Sequence, residues 1–132
     1  MQFTPEQLAH NTGTSAMDRQ CRQWLLSLPA PERVNFLKRL WPLNFSYALL
    51  LQHAVQLSRQ ENQQLFRHWL RTGHHNTAQE LIKRLQPLLG EETFWRIASQ
   101  ETLTAPMRDL MNYHSKGRLE GPRLLSLPSN SQ

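Results

Sequence analysis

Six histidines, His10, His53, His68, His74, His75 and His114, are the residues of this chain best suited to hold a metal or move a proton. Neutral imidazole is a good ligand, and it titrates near neutral pH. Their spacing serves neither purpose, because none lies in an HExxH helix or a Cys/His zinc pattern. His74 and His75 follow Gly73 in a turn between two helical patterns, where a solvated polar pair is the ordinary outcome. Carboxylates are few. Glu6, Asp18, Glu32, Glu61 and Glu80 fall in the first turns of expected helices, where capping and the helix dipole account for them. The chain has no Gly-rich phosphate loop and no nucleophile elbow, and its single Cys21 lies on an apolar stripe. These patterns point away from an enzyme, and no catalytic residue, metal site or cofactor is expected.

The cations are more informative, because they recur. The stretches Arg22–Leu43 and Arg67–Leu88 align at a constant offset of 45 residues. Eight of the 22 aligned positions are identical: Arg22/Arg67, Trp24/Trp69, Leu25/Leu70, Lys38/Lys83, Arg39/Arg84, Leu40/Leu85, Pro42/Pro87 and Leu43/Leu88. Average composition gives roughly one or two matches by chance. Core packing explains repeated Trp, Leu and Pro, but it does not require a repeated Lys-Arg. The surface cations Arg22, Lys38, Arg39, Arg67, Arg71, Lys83 and Arg84 are therefore the candidate binding residues. On a helical wheel Lys38 and Lys83 flank the apolar stripe, and Arg39 and Arg84 stand nearly opposite it. Leu26 lies on the far side of the first stripe, where the second stretch has Arg71, and is a candidate apolar contact.

The elements that must carry these residues are helices. Met17, Cys21, Trp24, Leu25 and Leu28 form one stripe at helical spacing, and Val34, Leu37, Leu40 and Trp41 form the next. Pro29 and Pro31 separate the two, and Pro42 is expected to stop the second near Trp41. Asn44 to Leu57 is apolar around most of its circumference, with Ser46, Gln52, His53 and Gln56 on a narrow polar strip. It is expected to be a central helix packed between the two copies. Ser15/Asp18, Ser58/Glu61 and Thr77/Glu80 have capping-box spacing. The second copy should run as one helix closed by Gly73 and another from Ala78 to about Leu85. Two further helices are expected, around Phe94–Ala98 and from Thr104 to Gly117, after a short one from Pro5 towards Gly13.

The fold expected is therefore all-α: a compact helical bundle or short α-solenoid of two duplicated helical hairpins. Its period resembles that of HEAT- or armadillo-like repeats, without the signature of either. Residues 1–117 are expected to form one domain and 118–132 a C-terminal tail. In the tail, Leu124, Leu125 and Leu127 repeat the Leu25-Leu-Ser-Leu-Pro29 string and are further candidate contacts. Trp24 and Trp69 are expected at equivalent buried sites.

Composition bounds the function class. The net charge is +5, and of fifteen cations twelve are Arg. Guanidinium forks suit carboxylates and phosphates alike. No apolar run is long enough to span a bilayer, and a lone cysteine fits a reducing, cytoplasmic setting. The reading that follows is a non-enzymatic adaptor or regulator. It would bind another protein, one of acidic character by preference, through an Arg-rich surface or the groove between repeats. Self-association is compatible with the same surfaces. The alternative is an RNA- or DNA-binding protein whose Lys-Arg pairs contact phosphates. Aromatic–basic interleaving and a recognition helix, which would favour that alternative, are missing.

Overall fold

The computed structural model of the chain describes residues 2–12, 16–115 and 117. It is all-helical, with seven α-helices and no strand among the described residues. The Ser15 cap, the stop at Gly13 and the whole 118–132 segment, with Leu124, Leu125 and Leu127, lie outside the described residues. The structure groups into two compact units, one up to Trp69 and one from Leu70.

The first unit opens with a 3-10 turn, Pro5–Leu8, capped by Thr4. The Thr4 hydroxyl accepts from Gln7 N, and the Gln7 side chain accepts from Thr4 N, a reciprocal capping box. Helices α1 (Ala16–Leu26), α2 (Ala30–Leu40) and α3 (Phe45–Ala54) follow, and then α4 (Arg59–Thr72) as far as Trp69. Pro29 separates α1 from α2, and α2 ends before Pro42 as proline chemistry requires. Ser58 and Glu61 close a capping box on α4 at 2.8 and 3.1 Å.

Helix α3 packs on α2 and ends at Ala54, three residues before the Leu57 that the apolar pattern suggests. Asn44 caps it, accepting from Tyr47 N at 3.1 Å. The same side chain donates to the carbonyls of Leu8 and Asn11, tying the N-terminal segment to the start of α3. Gln52 departs from its expected place on a solvated strip, because it is only 1% exposed. Its amide is used internally instead. Trp69 donates its indole N–H to Gln52 Oε1 at 2.9 Å, and Gln52 Nε2 donates to Asn62 Oδ1 at 3.0 Å. Trp41 stacks on Trp69 at 4.3 Å and 12°. A buried amide is tolerated only when its polar atoms find partners, and these do.

Arg33 makes a second set of directional bonds. From the first turn of α2 its guanidinium donates to the carbonyls of Leu26 and Leu28, where α1 ends. It also donates to Val55 and Gln56 at the end of α3. Gln56 has φ of 53°, the left-handed conformation that commonly ends a helix.

In the second unit α5 (Ala78–Leu89) packs against α6 (Glu91–Gln100) and α7 (Ala105–Ser115). Two details differ from expectation. Thr77 closes no capping box: it belongs to a 3-10 turn, His75–Thr77, and its hydroxyl donates back to the His74 carbonyl at 2.7 Å. Pro87 does not end α5, which continues to Leu89. Leu85 and Leu89, one turn apart, are both buried, and that burial outweighs the lost N–H near the helix end. Gly90 then turns the chain at φ of 92°, which a side chain would strain. Trp95 donates its indole N–H to Gln86 at 3.0 Å, a partner like the one Trp69 finds in Gln52.

The two repeated tryptophans are not equivalent. Trp69 is fully buried, whereas Trp24 is half-buried. Trp69→Ala should cost roughly 3–5 kcal/mol, the range for deleting a core aromatic. Trp24→Ala should cost less, because part of the ring is already in water. Denaturant midpoints of the two variants check this ordering.

Candidate functional site

A groove of about 770 Å³ opens in the first unit between the N-terminal segment, the end of α1 and the length of α2. Phe3 and Trp24 form its part-exposed apolar wall over the buried Phe36 ring, and Lys38 and Arg39 lie along it with Asn35. Each aromatic is placed by a local device. Phe3 precedes the Thr4 cap, where a hydrophobic residue usually staples onto the following helix. Here it meets Trp24 instead, with ring centroids 5.7 Å apart and planes at 57°. Trp24 meets Phe36 edge-on at 5.1 Å and 80°. A second hollow of about 420 Å³, bordered by Gln20, Gln23 and Ser27, reaches the same indole. Among the described residues the Trp24 indole N–H donates to no protein group, unlike those of Trp69 and Trp95.

The cations divide by their neighbours. Arg39 holds its guanidinium 5.7 Å from the Phe36 ring, a cation–π contact, and Lys38 is half-buried beside it. Arg84, the counterpart of Arg39, pairs with Glu80 at 3.4 Å, and Lys83 is exposed. Position 35, the counterpart of 80, is Asn. Arg22 pairs with Asp18 at 3.0 Å, and Arg71 with Glu101 at 3.4 Å. Arg67 is half-buried and engaged with other groups. Of the seven candidate cations only Lys38 and Arg39 border the groove. Leu26 is exposed at 37% but does not line it, and its carbonyl is bound by Arg33.

Asp18 was expected only as a first-turn acid, yet it is 7% exposed and forms part of a buried cluster. Tyr47 donates its hydroxyl to Asp18 Oδ1 at 2.8 Å, and Arg22 holds the other oxygen. Burial pushes the neighbouring Cys21 thiol up to about 11, with the nearby Asp18 charge adding to it. Burial, followed by the hydrogen bond to Asp18, raises the Tyr47 phenol as well. A thiol held protonated in this way is a poor nucleophile at neutral pH. The His74 and His75 rings lie 4.0 Å apart, and His74 accepts from Asn76 N. Among the described residues no group of three or more His, Cys, Asp or Glu is placed to hold a metal.

Phe3, Asn35 and Phe36 were not singled out by spacing. The signal for Phe3 was its place ahead of a Thr-Pro cap, and that for Phe36 was an aromatic where the other copy has Leu81. Comparison with known protein families, curated proteins and solved structures finds no match to this chain.

The Cys21 shift carries a pH dependence. An unfolded thiol ionises near 9.0, whereas the folded one stays protonated to about 11. Between these values the native state binds more protons than the unfolded state, so stability falls as pH rises. It is fully present below pH 9 and is lost progressively towards 11, and the raised Tyr47 acts in the same direction. Urea midpoints should therefore decline from pH 9 to 11, and Cys21→Ala should flatten the decline.

Proposed function

We propose that this chain is a non-enzymatic adaptor or regulatory protein that binds another protein, and that the groove of the first unit is where it does so. The observation that carries the reading is the groove in which the part-exposed Phe3 and Trp24 lie over the buried Phe36 ring, bordered by Lys38 and Arg39. Half-exposed tryptophan beside arginine is the chemistry from which interface anchors are made. An aromatic of that size is otherwise best placed in a core. The reading takes the chain as two versions of one helical hairpin, arranged as a bundle or short solenoid, with the first version specialised for binding. Arg22, Arg71 and Arg84 already have carboxylate partners. That weighs against a phosphate-binding surface spread over both copies, since each pair offsets charge that counterion release would need.

Two paired variants provide the test. Lys38→Ala with Arg39→Ala should abolish binding of a partner protein shown to bind the purified chain directly. Lys83→Ala with Arg84→Ala should leave that binding within about twofold, as expected for cations outside an interface. Salt should weaken the complex only modestly. Tight binding to generic RNA or DNA at physiological salt, with a steep salt slope that the four substitutions together flatten, would overturn the reading.

A further inference from the structure

We propose that a second copy of this chain covers the groove, the two α2 helices lying antiparallel across a two-fold axis that passes beside Asn35. Glu32 of each copy then faces Arg39 of the other. This goes beyond the protein-binding reading and needs no other protein.

The outer face of α2 carries its charges in an order that a two-fold axis can match. Glu32, Asn35 and Arg39 are exposed, whereas Val34, Phe36, Leu37 and Leu40 are buried. Residues seven apart are separated by two helical turns, so Glu32 and Arg39 share a face, roughly 10 Å apart along the axis. That is too far for them to pair with each other. Neither has an oppositely charged partner among the described residues, and the Arg39 guanidinium stands 5.7 Å from the Phe36 ring instead. The midpoint between the two charges falls beside Asn35. A two-fold axis there sets each carboxylate opposite a guanidinium, and the bidentate pair forms twice. At the axis the Asn35 amide meets its own copy, and an amide both donates and accepts. The second stretch has no such pattern, because Glu80 already pairs with Arg84 at 3.4 Å on its own helix.

Charge balance favours a second copy over other occupants. The charged lining of the groove is Glu6 and Glu32 against Lys38 and Arg39. An acidic peptide or a phosphate backbone calls for an excess of cations, and here the signs are equal. A surface that carries both signs, acid at the start of the helix and base at its end, is complementary to itself when turned end for end. The part-exposed Phe3 and Trp24 flank α2 and add apolar area beside the ion pairs, as interface cores require. One helix of eleven residues with its flanks makes a small interface. The dimer should accordingly be weak, with Kd on the order of 10–100 μM.

The test is sedimentation equilibrium of the full chain from about 5 to 500 μM, a range that brackets the expected Kd. The unaltered chain should pass from monomer to dimer. Glu32→Arg makes both facing positions positive and Arg39→Glu makes both negative, so each variant alone should lose at least about tenfold in self-affinity. Mixing the two variants restores opposite charges at both contacts and should restore dimers. The double variant Glu32→Arg/Arg39→Glu reverses the pattern within one chain and should dimerise by itself. Lys83→Glu, away from the groove, should leave the dimer within about twofold. Far-UV circular dichroism shows whether each variant is folded. A chain that stays monomeric at the highest concentration overturns the proposal, as does a dimer indifferent to either single reversal. So does a failure of the mixture or of the double variant to dimerise. None of these outcomes touches the protein-binding reading, which is decided by a partner's response to Lys38→Ala/Arg39→Ala.

Discussion

The guanidinium of Arg33 gathers four backbone carbonyls, those of Leu26 and Leu28 at the end of α1 and of Val55 and Gln56 at the end of α3. Helix ends leave carbonyls unpaired and carry the negative pole of the helix dipole. One cation in the first turn of α2 answers both ends at once. Apolar burial could hold these helices together at several angles, because it is non-directional. A planar five-donor fork is not so permissive. It sets how α1 and α3 leave α2, and so it fixes Trp24 against Phe36. The groove is in this sense a consequence of a residue that does not line it.

The interior of the first unit follows the same logic. Trp69, Gln52 and Asn62 form a chain of hydrogen bonds in which each buried polar group finds a partner, and Trp41 covers it by stacking. Asp18 adds a second buried polar contact, accepting from the Tyr47 hydroxyl and forming an ion pair with Arg22. Such networks bias a core towards one arrangement, because any alternative leaves a polar atom unpaired at a cost of roughly 1–3 kcal/mol.

Helical periodicity and proline punctuation made the all-α class and most helix positions legible from the chain. Those signals are local, repeating every three or four residues along one element. What stayed hidden was set by residues far apart in sequence. Gln52 read as solvated because the wheel of α3 cannot know that Trp69, seventeen residues on, brings it an N–H. The helix from Ala78 was expected to end near Leu85, whereas the burial of Leu89 carries it on past Pro87. Arg33 carried no sequence signal, because its four carbonyl partners are brought together only by the fold. For the groove, the cations Lys38 and Arg39 were legible, and the aromatics that give it shape were not. Phe3 precedes both repeated stretches, so no alignment of one copy on the other includes it.

Residues identical in two stretches of sequence mark what the stretches share, which is a Trp, a Leu stripe and a Lys-Arg block. They do not mark shared chemistry. Arg39 and Arg84 are the same residue at the same place in the repeat, yet one lies over an aromatic ring and the other on a carboxylate. The difference comes from their neighbours, Asn35 with Phe36 against Glu80 with Leu81. An arginine neutralised by the acid one turn earlier has less to offer a ligand than one whose charge faces a ring. Function in a chain with two matching stretches is therefore better sought at the positions where the stretches disagree, beside the residues on which they agree. Here that rule leads from seven candidate cations to two, and both lie on the groove that Arg33 holds open.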